Sequence, residues 1–503
     1  MPEPRSTKTA VVIGAGVGGL ASAIELAARG QAVVVCERAA APGGKMREVA
    51  VGAARLDAGP TVFTMRWVFE ELFATAGISL ADRVTLRPVE TLARHAWEHG
   101  GRLDLFADRA RSADAIAAFA GAAEGRRYLE FCTEAQTIYR TLEEPFIRGY
   151  RPANPLGLMS RMGASRLGGL LRIHPYSTLW SVLAKRFRDP RLTQLFARYS
   201  TYCGSSPFQA PATLMLIAHV EQEGVWLVEG GMHRLARALA ELAQGLGVQI
   251  RYDTDVAEIL TERGRVSGVR LATGERIATH AAISNADPAA LTQGLLGRDA
   301  RRALPPLAPT ARSMSAVTWN LVARAEGFPL IRHSVFFSDD YAAEFDRIFG
   351  QGQIPSKPTV YICAQDRDDR GHWPQGQPER LLCLVNAPPN GDRHTYSSSE
   401  IEQCAERTFS LLSRCGLSLH WEPQDAVTTT PTDFAGLFPA TGGALYGRAS
   451  HGWKASFERP GSRTKIPGLY LAGGATHPGA GVPMAALSGR LAASCVLADL
   501  AST

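Results

Sequence analysis

The sequence predicts an α/β fold with more than one structural unit, and three observations support this prediction. An apolar strand over residues 10–13 leads through a glycine-rich turn into a helix, and a second apolar strand follows over residues 32–36. This strand–helix–strand order is typical of parallel sheets. The stretch "YLAGGATHPGAGVPMAALSGR", residues 470–490, again leads from a glycine-rich loop into a helix. With 503 residues, the chain also exceeds what one hydrophobic core usually fills.

Composition and charge exclude several classes of protein. The formal net charge of +6 is mild for this length and does not indicate a nucleic-acid binder. The N-terminus lacks the basic and apolar pattern of a secretory signal, and we expect no window with the ~20 apolar residues of a membrane-spanning helix. The eight cysteines show no C-x-x-C pair and no zinc-ligand spacing. We therefore expect a cytoplasmic protein with reduced thiols and no metal site.

The first turn reads Gly14-x-Gly16-x-x-Gly19. Gly14 makes the tight turn, Gly16 lets the main chain approach a diphosphate, and Gly19 lets the helix pack on the strand. An anion then binds the free N–H groups at the positive end of the helix. Glu37, about twenty residues further on, suits a ribose 2′-hydroxyl and would repel a 2′-phosphate. The unit predicts a site for an adenine dinucleotide.

Two more glycine-rich loops follow Glu37 in place of another helix. Gly43-Gly44-Lys45 combines close approach of the main chain with a cation, and "LDAGPTVF", residues 56–63, forms a third turn. A nicotinamide-binding domain needs neither loop. Several loops that converge on one cofactor fit a flavin that the protein wraps and retains.

Five blocks occur in an order that carries a family resemblance: the first fingerprint with "PGGK", "DAGPTVF", "EGGMHRLARALAELAQGLGVQI", "AAISNADP" and "YLAGGATHPGAGVPMAALSGR". In these blocks the chain resembles the flavin-containing amine oxidase superfamily and, more narrowly, the bacterial phytoene-desaturase-like carotenoid desaturases. The resemblance implies an α/β fold with a Rossmann-like FAD-binding domain (amine oxidase/GDI-like), a mixed-sheet substrate domain and a helical membrane-associating part. It also implies FAD as the cofactor, bound at Gly14, Gly16, Gly18, Gly19, Glu37, Arg38, Gly44, Lys45, Gly59, Pro60, Thr61, Val256, Gly473, Gly474, Gly481, Val482 and Met484.

In that family the last block lies against the isoalloxazine ring, and the residues agree with this role. Its glycines leave the main chain bare where a flat ring must come close: Gly473, Gly474, Gly479 and Gly481. Pro483 is placed as the first residue of a helix that ends at about residue 497. The positive end of this helix would point at the flavin edge where negative charge collects on reduction.

The blocks divide the chain into alternating cofactor and substrate segments. We predict an FAD-binding domain from residues 1–85, 225–290 and 441–503. Residues 86–224 would then form a helical, membrane-associating substrate region, and residues 291–440 a substrate-binding domain. Within the last of these, "AVTWNLVARA" and "RLLCLVNAPPN" read as apolar strands that form either the floor of a pocket or plain sheet core.

Between residues 140 and 198, eleven Lys and Arg face three Asp and Glu, a local charge of +8. Leu, Met, Trp and Tyr alternate with these charges, as in elements that lie on a membrane surface. The alternative is an arginine-rich, solvated helical face. Transfer of a carotenoid from apolar surroundings into water costs ~0.8 kcal/mol of free energy per CH₂ group. An enzyme that docks on a bilayer could take up such a substrate directly from the lipid. The resemblance thus implies a peripheral protein on the cytoplasmic face of the inner membrane.

The implied reaction is dehydrogenation of a carbon–carbon bond next to a polyene, with hydride transfer to the flavin. The chain contains no nucleophile elbow and no paired-carboxylate signature. Candidate bases are five histidines, each of which is more often structural: His174, His219, His233, His333 and His477. We therefore assign no catalytic base, and oxygen or a quinone stays open as the electron acceptor.

The pattern "HPGAGVPMAALSGR" looks closest to the hydroxycarotenoid (methoxyneurosporene) desaturases of photosynthetic bacteria, because Met484 follows Pro483 and Gly489-Arg490 follows Ser488. These enzymes introduce the 3,4 double bond into 1-hydroxylated acyclic carotenoids. The alternatives are a phytoene desaturase, a carotenoid isomerase of the same fold and, outside enzymes, a prenyl-lipid carrier that uses this fold without a flavin.

Overall fold

The computed structural model describes residues 9–162, 173–374 and 376–502. The strands within these residues are β1 (Ala10–Ile13), β2 (Val33–Cys36), β3 (Glu48–Val51), β4 (Ala54–Asp57), β5 (Leu86–Pro88), β6 (Thr91–Trp97), β7 (Arg102–Phe106), β8 (Trp226–Val228), β9 (Gln249–Arg251), β10 (Val256–Glu262), β11 (Arg265–Leu271), β12 (Arg276–Ala278), β13 (Ala281–Ser284), β14 (Ser315–Glu326), β15 (His333–Phe337), β16 (Val360–Ala364), β17 (Glu379–Ala387), β18 (Ser418–His420), β19 (Ala426–Thr429) and β20 (Leu469–Leu471). The α-helices within them are α1 (Val17–Ala27), α2 (Arg66–Thr75), α3 (Arg109–Ala120), α4 (Ala122–Leu142), α5 (Pro155–Met159), α6 (Leu179–Arg186), α7 (Pro190–Ala197), α8 (Leu216–Gln222), α9 (Met232–Gly245), α10 (Pro288–Thr292), α11 (Tyr341–Phe345), α12 (Ser398–Arg414), α13 (Pro431–Leu437), α14 (Ala455–Glu458) and α15 (Val482–Ala501).

The first sheet has five parallel strands in the order β20, β13, β1, β2 and β9. Every residue of β1 is buried and apolar, as expected of a central parallel strand with helices on its faces. Helix α1 packs against both α9 and α15. The sheet therefore joins N-terminal, middle and C-terminal parts of the chain, and the predicted α/β class is confirmed.

At Gly489, helices α1 and α15 pack without an intervening side chain. A Cβ atom on Gly489 of α15 would lie 2.1 Å from the carbonyl oxygen of Gly18 in α1 and 3.0 Å from Ala21 Cβ. Glycine at position 489 thus allows the two helix backbones to approach each other closely. Because α15 begins at the C-terminal glycine-rich loop, this contact also brings that loop to the first turn of the chain.

Helix α15 corrects the expectation that no segment is long and apolar enough to span a membrane. By length and composition alone Val482–Ala501 passes that test, with a mean hydropathy of 1.4. In the structure 44 % of the tested window is buried inside the protein. The Arg490 guanidinium, in the middle of the helix, donates to Glu25 and Glu71 at 2.7 Å each. The helix is thus part of the core of the first sheet's domain.

The second sheet is mixed and has the order β18, β14, β17, β16, β15, β6 and β7, with β19 paired to β14. The predicted apolar strands lie in it as β14 and β17. Because successive side chains point to opposite faces, both interpretations of these strands hold. Thr318, Leu382 and Leu384 line a cavity, whereas Trp319 and Cys383 pack in a buried core. The segment boundaries given above remain predictions.

The helical region between β7 and β8 has an aromatic core. Phe131, Phe187 and Phe196 lie with ring centroids 4.8 to 5.9 Å apart. They fix the end of α7, from which the chain continues as the 3₁₀ turn Arg198–Cys203. This packing carries Arg198 into the interior of the protein.

We predict that Gly489→Ala destabilises the protein by about 1–3 kcal/mol, because the new methyl group overlaps the Gly18 carbonyl oxygen and forces α1 and α15 apart. Thermal unfolding measures the effect. The control is Gly245→Ala at the exposed end of α9, where a Cβ meets nothing within 4 Å and stability should change by no more than about 0.5 kcal/mol. Equal unfolding temperatures for the two variants would contradict the close helix contact.

Candidate cofactor and substrate site

One cavity of about 1650 Å³ lies between the two large sheets. On one side it is lined by residues at the carboxyl ends of β1, β2, β13 and β20, which is where open parallel sheets bind ligands. On the other side it is lined by one face of the second sheet and by the helical region. All predicted cofactor-binding residues except Gly19 line this cavity. A Cβ atom on Gly19 would lie 2.1 Å from the Gly14 carbonyl oxygen, so Gly19 allows close helix–strand packing.

The glycine-rich turn after β1 presents unsatisfied N–H groups to the cavity. Gly14 N–H donates to the Cys36 carbonyl at 2.8 Å, which closes the turn against β2. Gly16 is the residue before α1, and no side chain caps this helix. The first N–H groups of the helix, beside cavity-lining Val17 and Gly18, are therefore available to an anion.

Glu37 follows β2 and is buried, with 7 % of its surface exposed. Its carboxylate accepts hydrogen bonds from Ala15 N–H at 2.6 Å and from Ala39 N–H at 2.8 Å. These bonds hold both oxygens in place at the cavity wall, and each oxygen keeps a further acceptor site. The arrangement fits the two hydroxyl groups of a ribose.

The loop of Gly43, Gly44 and Lys45 lies directly on the first turn. Gly43 N–H donates to the Ala15 carbonyl at 2.9 Å, and a Cβ atom on Gly44 would lie 3.3 Å from Gly16 Cα. Lys45 Nζ donates to the Leu445 carbonyl at 2.7 Å, and burial lowers the pKa of this amine. The loop thus adds a half-buried amine to the site.

The remaining predicted N-terminal residues join this loop to its neighbours. A Cβ atom on Gly59 would lie 2.0 Å from the Lys45 carbonyl oxygen, so Gly59 lets two cavity loops touch. Arg38 donates to the carbonyls of Gly436 and Leu437, which ties the end of β2 to the C-terminal part of the chain. Pro60, Thr61 and Val256 belong to the cavity wall.

The C-terminal glycine-rich loop meets the first turn across a short distance. A Cβ atom on Gly18 would lie 2.6 Å from Gly473 N, and Gly473 N–H in turn donates to Ser488 Oγ at 3.2 Å. By contrast, a Cβ atom on Gly474 or Gly481 would meet no atom closer than 3.8 Å. These two glycines therefore face open space in the cavity, which fits a flat ring.

The helix after this loop begins one residue earlier than predicted and is longer. Gly481 precedes it with a φ of 115°, and no side chain caps its N-terminus. Pro483 is its second residue, and cavity-lining Val482 and Met484 flank that proline. The uncapped N-terminus of α15 therefore lies at the cavity, as an anion-stabilising end of a helix would.

Sequence reasoning missed Asn285, although its block was recognised. A Cβ atom on Gly16 would lie 2.4 Å from the Asn285 amide nitrogen, and one on Gly18 or Gly473 would lie 2.8 Å from its amide oxygen. The Asn285 side chain thus fills the space that three glycines leave open. The available signal was its position directly after the apolar strand β13, at the ligand-binding edge of a parallel sheet.

The part of the cavity away from the glycine loops is largely apolar, with one polar cluster that sequence reasoning also missed. We call Arg198, Tyr202, Glu221 and Tyr361 the polar cluster; all four line the cavity. Glu221 accepts from Tyr202 Oη at 2.8 Å and also from Tyr199 Oη at 2.8 Å. Burial raises the pKa of Glu221, whereas these hydrogen bonds and the charge of Arg198 oppose the rise. Arg198 and Tyr202 are four residues apart, but Glu221 and Tyr361 lie far from them in the sequence, so no spacing pattern indicates the whole cluster.

Three of the five candidate histidine bases are buried and neutral. Burial lowers the pKa of His219 and His477 to about 4 and that of His333 to about 3. None of the three lines the cavity. They are therefore placed as structural residues.

The other two candidate histidines are held by partners. His174 Nε2 lies 2.6 Å from Glu134 Oε1, outside the cavity wall. His233 does line the cavity, where its Nε2 donates to the Pro42 carbonyl at 3.0 Å beside the nucleotide-side loops. No histidine of the five lies in the apolar part of the cavity.

Together these features define a dinucleotide-binding flavoprotein. The chain belongs to the flavin-containing amine oxidoreductase family, whose model matches residues 17–497. The predicted family and FAD as the cofactor are thereby confirmed. An uncapped helix for the diphosphate, a buried carboxylate for the ribose and bare main chain beside open space fit this cofactor.

Similarity to several named relatives extends over nearly the whole chain. The chain is 55 % identical over 505 residues to a hydroxyneurosporene desaturase of Rubrivivax gelatinosus. The alignment covers 100 % of this chain and 96 % of that protein. The corresponding desaturase of Cereibacter sphaeroides is 47 % identical, with 98 % of each chain covered. A 4,4'-diapolycopene oxygenase of Methylomonas sp is 30 % identical, with 97 % of this chain and 98 % of that protein covered.

Solved structures confirm the fold. An oxidoreductase from Methanosarcina mazei has a TM-score of 0.58 at 18 % identity and covers 97 % of this chain and 100 % of its own. Putrescine oxidase bound to putrescine has a TM-score of 0.58 at 15 % identity, with 98 % and 99 % covered. At such identities the likeness concerns the fold alone.

We predict that Glu37→Gln raises the dissociation constant for FAD about 10-fold or more, because an amide cannot accept from both main-chain donors and one buried N–H loses its partner. The measurement is flavin absorbance retained after dialysis. Glu262→Gln, at the exposed end of β10, is the matched control and should retain the flavin fully. Full retention by both variants would rule out this role for Glu37.

Proposed function

We propose that this protein introduces the 3,4 double bond into acyclic 1-hydroxycarotenoids of the 1-hydroxyneurosporene or methoxyneurosporene type. The observation that carries the proposal is the 55 % identity, over the whole chain, to a hydroxyneurosporene desaturase. The cavity supports it, because one space of about 1650 Å³ joins the glycine-rich loops to an extensive apolar wall. This volume exceeds the several hundred Å³ typical of a site for one small ligand, as expected for FAD together with a long polyene.

In this proposal the predicted cofactor residues divide FAD between them. The N-terminus of α1 and Glu37 would hold the diphosphate and ribose, Val256 would lie beside the adenine, and Gly474 and Gly481 would lie along the ring; all of these residues line the cavity or begin at it. FAD, when bound, would supply the acceptor for the hydride that leaves the substrate, and this hydride carries both electrons of the oxidation. We therefore expect the protein to position the substrate against the cofactor and to stabilise the charge that develops in this step.

The apolar wall of the cavity positions the substrate and excludes water from it. One carbon loses a hydride and its neighbour loses a proton, and the positive charge that develops spreads over the adjacent polyene. A weak proton acceptor therefore suffices, which agrees with the finding that none of the five candidate histidines lies in the apolar part of the cavity. Side chains such as Leu142, Phe146 and Ile217 exclude water from this part of the cavity and hold the chain in line. Oxygen or a quinone is the proposed final electron acceptor.

We predict that the FAD-loaded protein in liposomes converts 1-hydroxyneurosporene to a product with a longer polyene, seen as a red shift of the absorption bands. Phytoene and neurosporene, supplied in parallel, should be poorer substrates. Turnover of phytoene alone would replace the proposal by a phytoene desaturase, and a product isomer of unchanged mass by an isomerase. A colourless protein without flavin absorbance would favour the prenyl-lipid carrier.

We further propose that the cavity opens toward a membrane surface, on the cytoplasmic face of the inner membrane. Trp453 both lines the cavity and is 38 % exposed, and its ring contacts that of Tyr176, which is 78 % exposed. Leu156, in the same α5 helix as cavity-lining Leu158, is 73 % exposed. An exposed apolar rim at the mouth of an apolar cavity suits extraction of a substrate from lipid.

The basic residues support this docking less than their number indicated. Arg148, Arg186 and Arg191 are ion-paired with carboxylates, and Arg198 lines the cavity. Charges paired in this way do not form one cationic face. The part of the basic stretch at residues 163–172 lies outside the described residues. The apolar rim is therefore the main basis for docking.

We predict that Leu156→Asp lowers binding to liposomes severalfold, because it places a charge in the exposed apolar rim. Co-sedimentation with vesicles that contain anionic lipid measures the bound fraction. Leu129→Asp on α4 is the control, since Leu129 is 42 % exposed but lies thirteen residues, or about 20 Å along the helix, from the cavity-lining Leu142 of α4. Equal losses in both variants would speak against a membrane contact at this rim.

A further inference from the structure

We propose that Arg198 binds the oxygen atom on C1 of the substrate and thereby selects hydroxylated carotenoids over hydrocarbons. The inference rests on the proposed function and deepens it, because it names the group that determines specificity. In the sequence, Arg198 is one of the eleven basic residues between residues 140 and 198. In the structure it begins the 3₁₀ turn Arg198–Cys203 and lines the cavity.

The chemistry of the substrate restricts where such a group can lie. Three covalent bonds separate the oxygen on C1 from C3, so the oxygen is within about 4 Å of one reacting carbon and one bond further from the other. Whatever binds this oxygen must therefore lie close to the cofactor loops. A hydrogen-bonding group at the far end of the cavity could not serve this purpose.

Arg198 meets this requirement through Tyr361. The guanidinium carbon lies 5.4 Å from the centroid of the Tyr361 ring and 5.2 Å from that of Tyr202. The Tyr361 hydroxyl is hydrogen-bonded at 2.7 Å to Thr61 Oγ1, in the third of the predicted cofactor loops. A second bond, at 2.7 Å, joins the same hydroxyl to His333 Nδ1 and fixes the ring. In space, the single residue Tyr361 thus connects Arg198 to a loop assigned to the flavin.

The polar cluster orients Arg198 but leaves most of its hydrogen-bonding capacity unused. Arg198 Nη1 donates to Tyr202 Oη at 3.2 Å, and Tyr202 donates onward to Glu221 at 2.8 Å. The other carboxylate oxygen of Glu221 accepts a hydrogen bond from the Tyr199 hydroxyl. Within residues 9–162, 173–374 and 376–502, no carboxylate lies within the 4.0 Å of an ion pair with Arg198. A guanidinium has five N–H donors, so several remain for a ligand.

The acceptor that the proposed substrate offers these donors is a single neutral oxygen. A charged group in an apolar cavity is costly unless it is hydrogen-bonded, so a ligand that brings an oxygen to Arg198 is favoured over one that brings only methyl groups. Both a hydroxyl and a methoxy oxygen can accept a hydrogen bond, but only the hydroxyl can donate one. Recognition by Arg198 therefore predicts that the methoxy compound is also accepted. Recognition by a carboxylate such as Glu221 would exclude the methoxy compound.

The experiment compares substrate preference in Arg198→Met with that of the unmodified protein, both loaded with FAD and supplied with liposomes. The ratio of kcat/KM for 1-hydroxyneurosporene to that for neurosporene should fall about 10- to 100-fold. A readout apart from turnover is the dissociation constant of each carotenoid, from its absorption shift on binding. The constant for the hydroxylated compound should rise, whereas that for neurosporene should stay within twofold. Arg324→Met, at an exposed arginine of β14, is the matched control and should leave both constants unchanged.

Arg198→Lys is the second variant, because it keeps the charge and loses the planar fork. It should retain part of the preference and keep the test valid if Arg198→Met does not fold or bind FAD. An unchanged preference in a folded Arg198→Met protein, or an equal loss for both carotenoids in either variant, would overturn the inference. Failure of the unmodified protein to convert any hydroxylated carotenoid would instead overturn the proposed function itself.

Discussion

The contact on which the rest of the structure depends joins the glycine-rich turn after β1 to the glycine-rich loop after β20. At Gly18 and Gly473 the two main chains are so close that a Cβ atom on Gly18 would lie 2.6 Å from Gly473 N. About two turns after the start of α15, Gly489 lets this helix pack directly on the Gly18 carbonyl. Asn285, from a third part of the chain, fills the space between them. Main-chain contact of this kind tolerates no side chain, which is why glycine recurs at both ends of the polypeptide.

This contact also determines where chemistry can take place. The parallel sheet presents the carboxyl ends of its strands to the cavity, and the second sheet supplies the opposite wall. Because β14 and β17 alternate between cavity and core, the same strands that stabilise the second domain also shape the space for a substrate. A flavin site and an apolar pocket thus become one continuous cavity, and a long polyene can reach the ring while its remainder stays out of water.

The polar cluster places charged and hydrogen-bonded side chains in a part of the cavity that is otherwise largely apolar. Burying a guanidinium among apolar side chains is costly, and a Tyr–Glu hydrogen-bond network beside it offsets only part of the cost. Such an arrangement is maintained at functional sites, where a ligand completes the hydrogen bonding. The substrate we propose has one oxygen near the bond that reacts, and the cluster lies beside a cofactor loop. Specificity and position would then come from the same residue.

The sequence by itself determined the α/β class, the family, the cofactor and the loops around it, because these depend on local patterns such as Gly14-x-Gly16-x-x-Gly19 followed by Glu37. It also placed β14 and β17. Only the tertiary structure decided that Arg198 points inward while Arg186 pairs with Glu134, because both look alike in a run of charges. It likewise decided that apolar α15 is a core helix and that Asn285 meets the glycines. Contacts between residues distant in sequence have no local period, so they become visible only once the chain is folded.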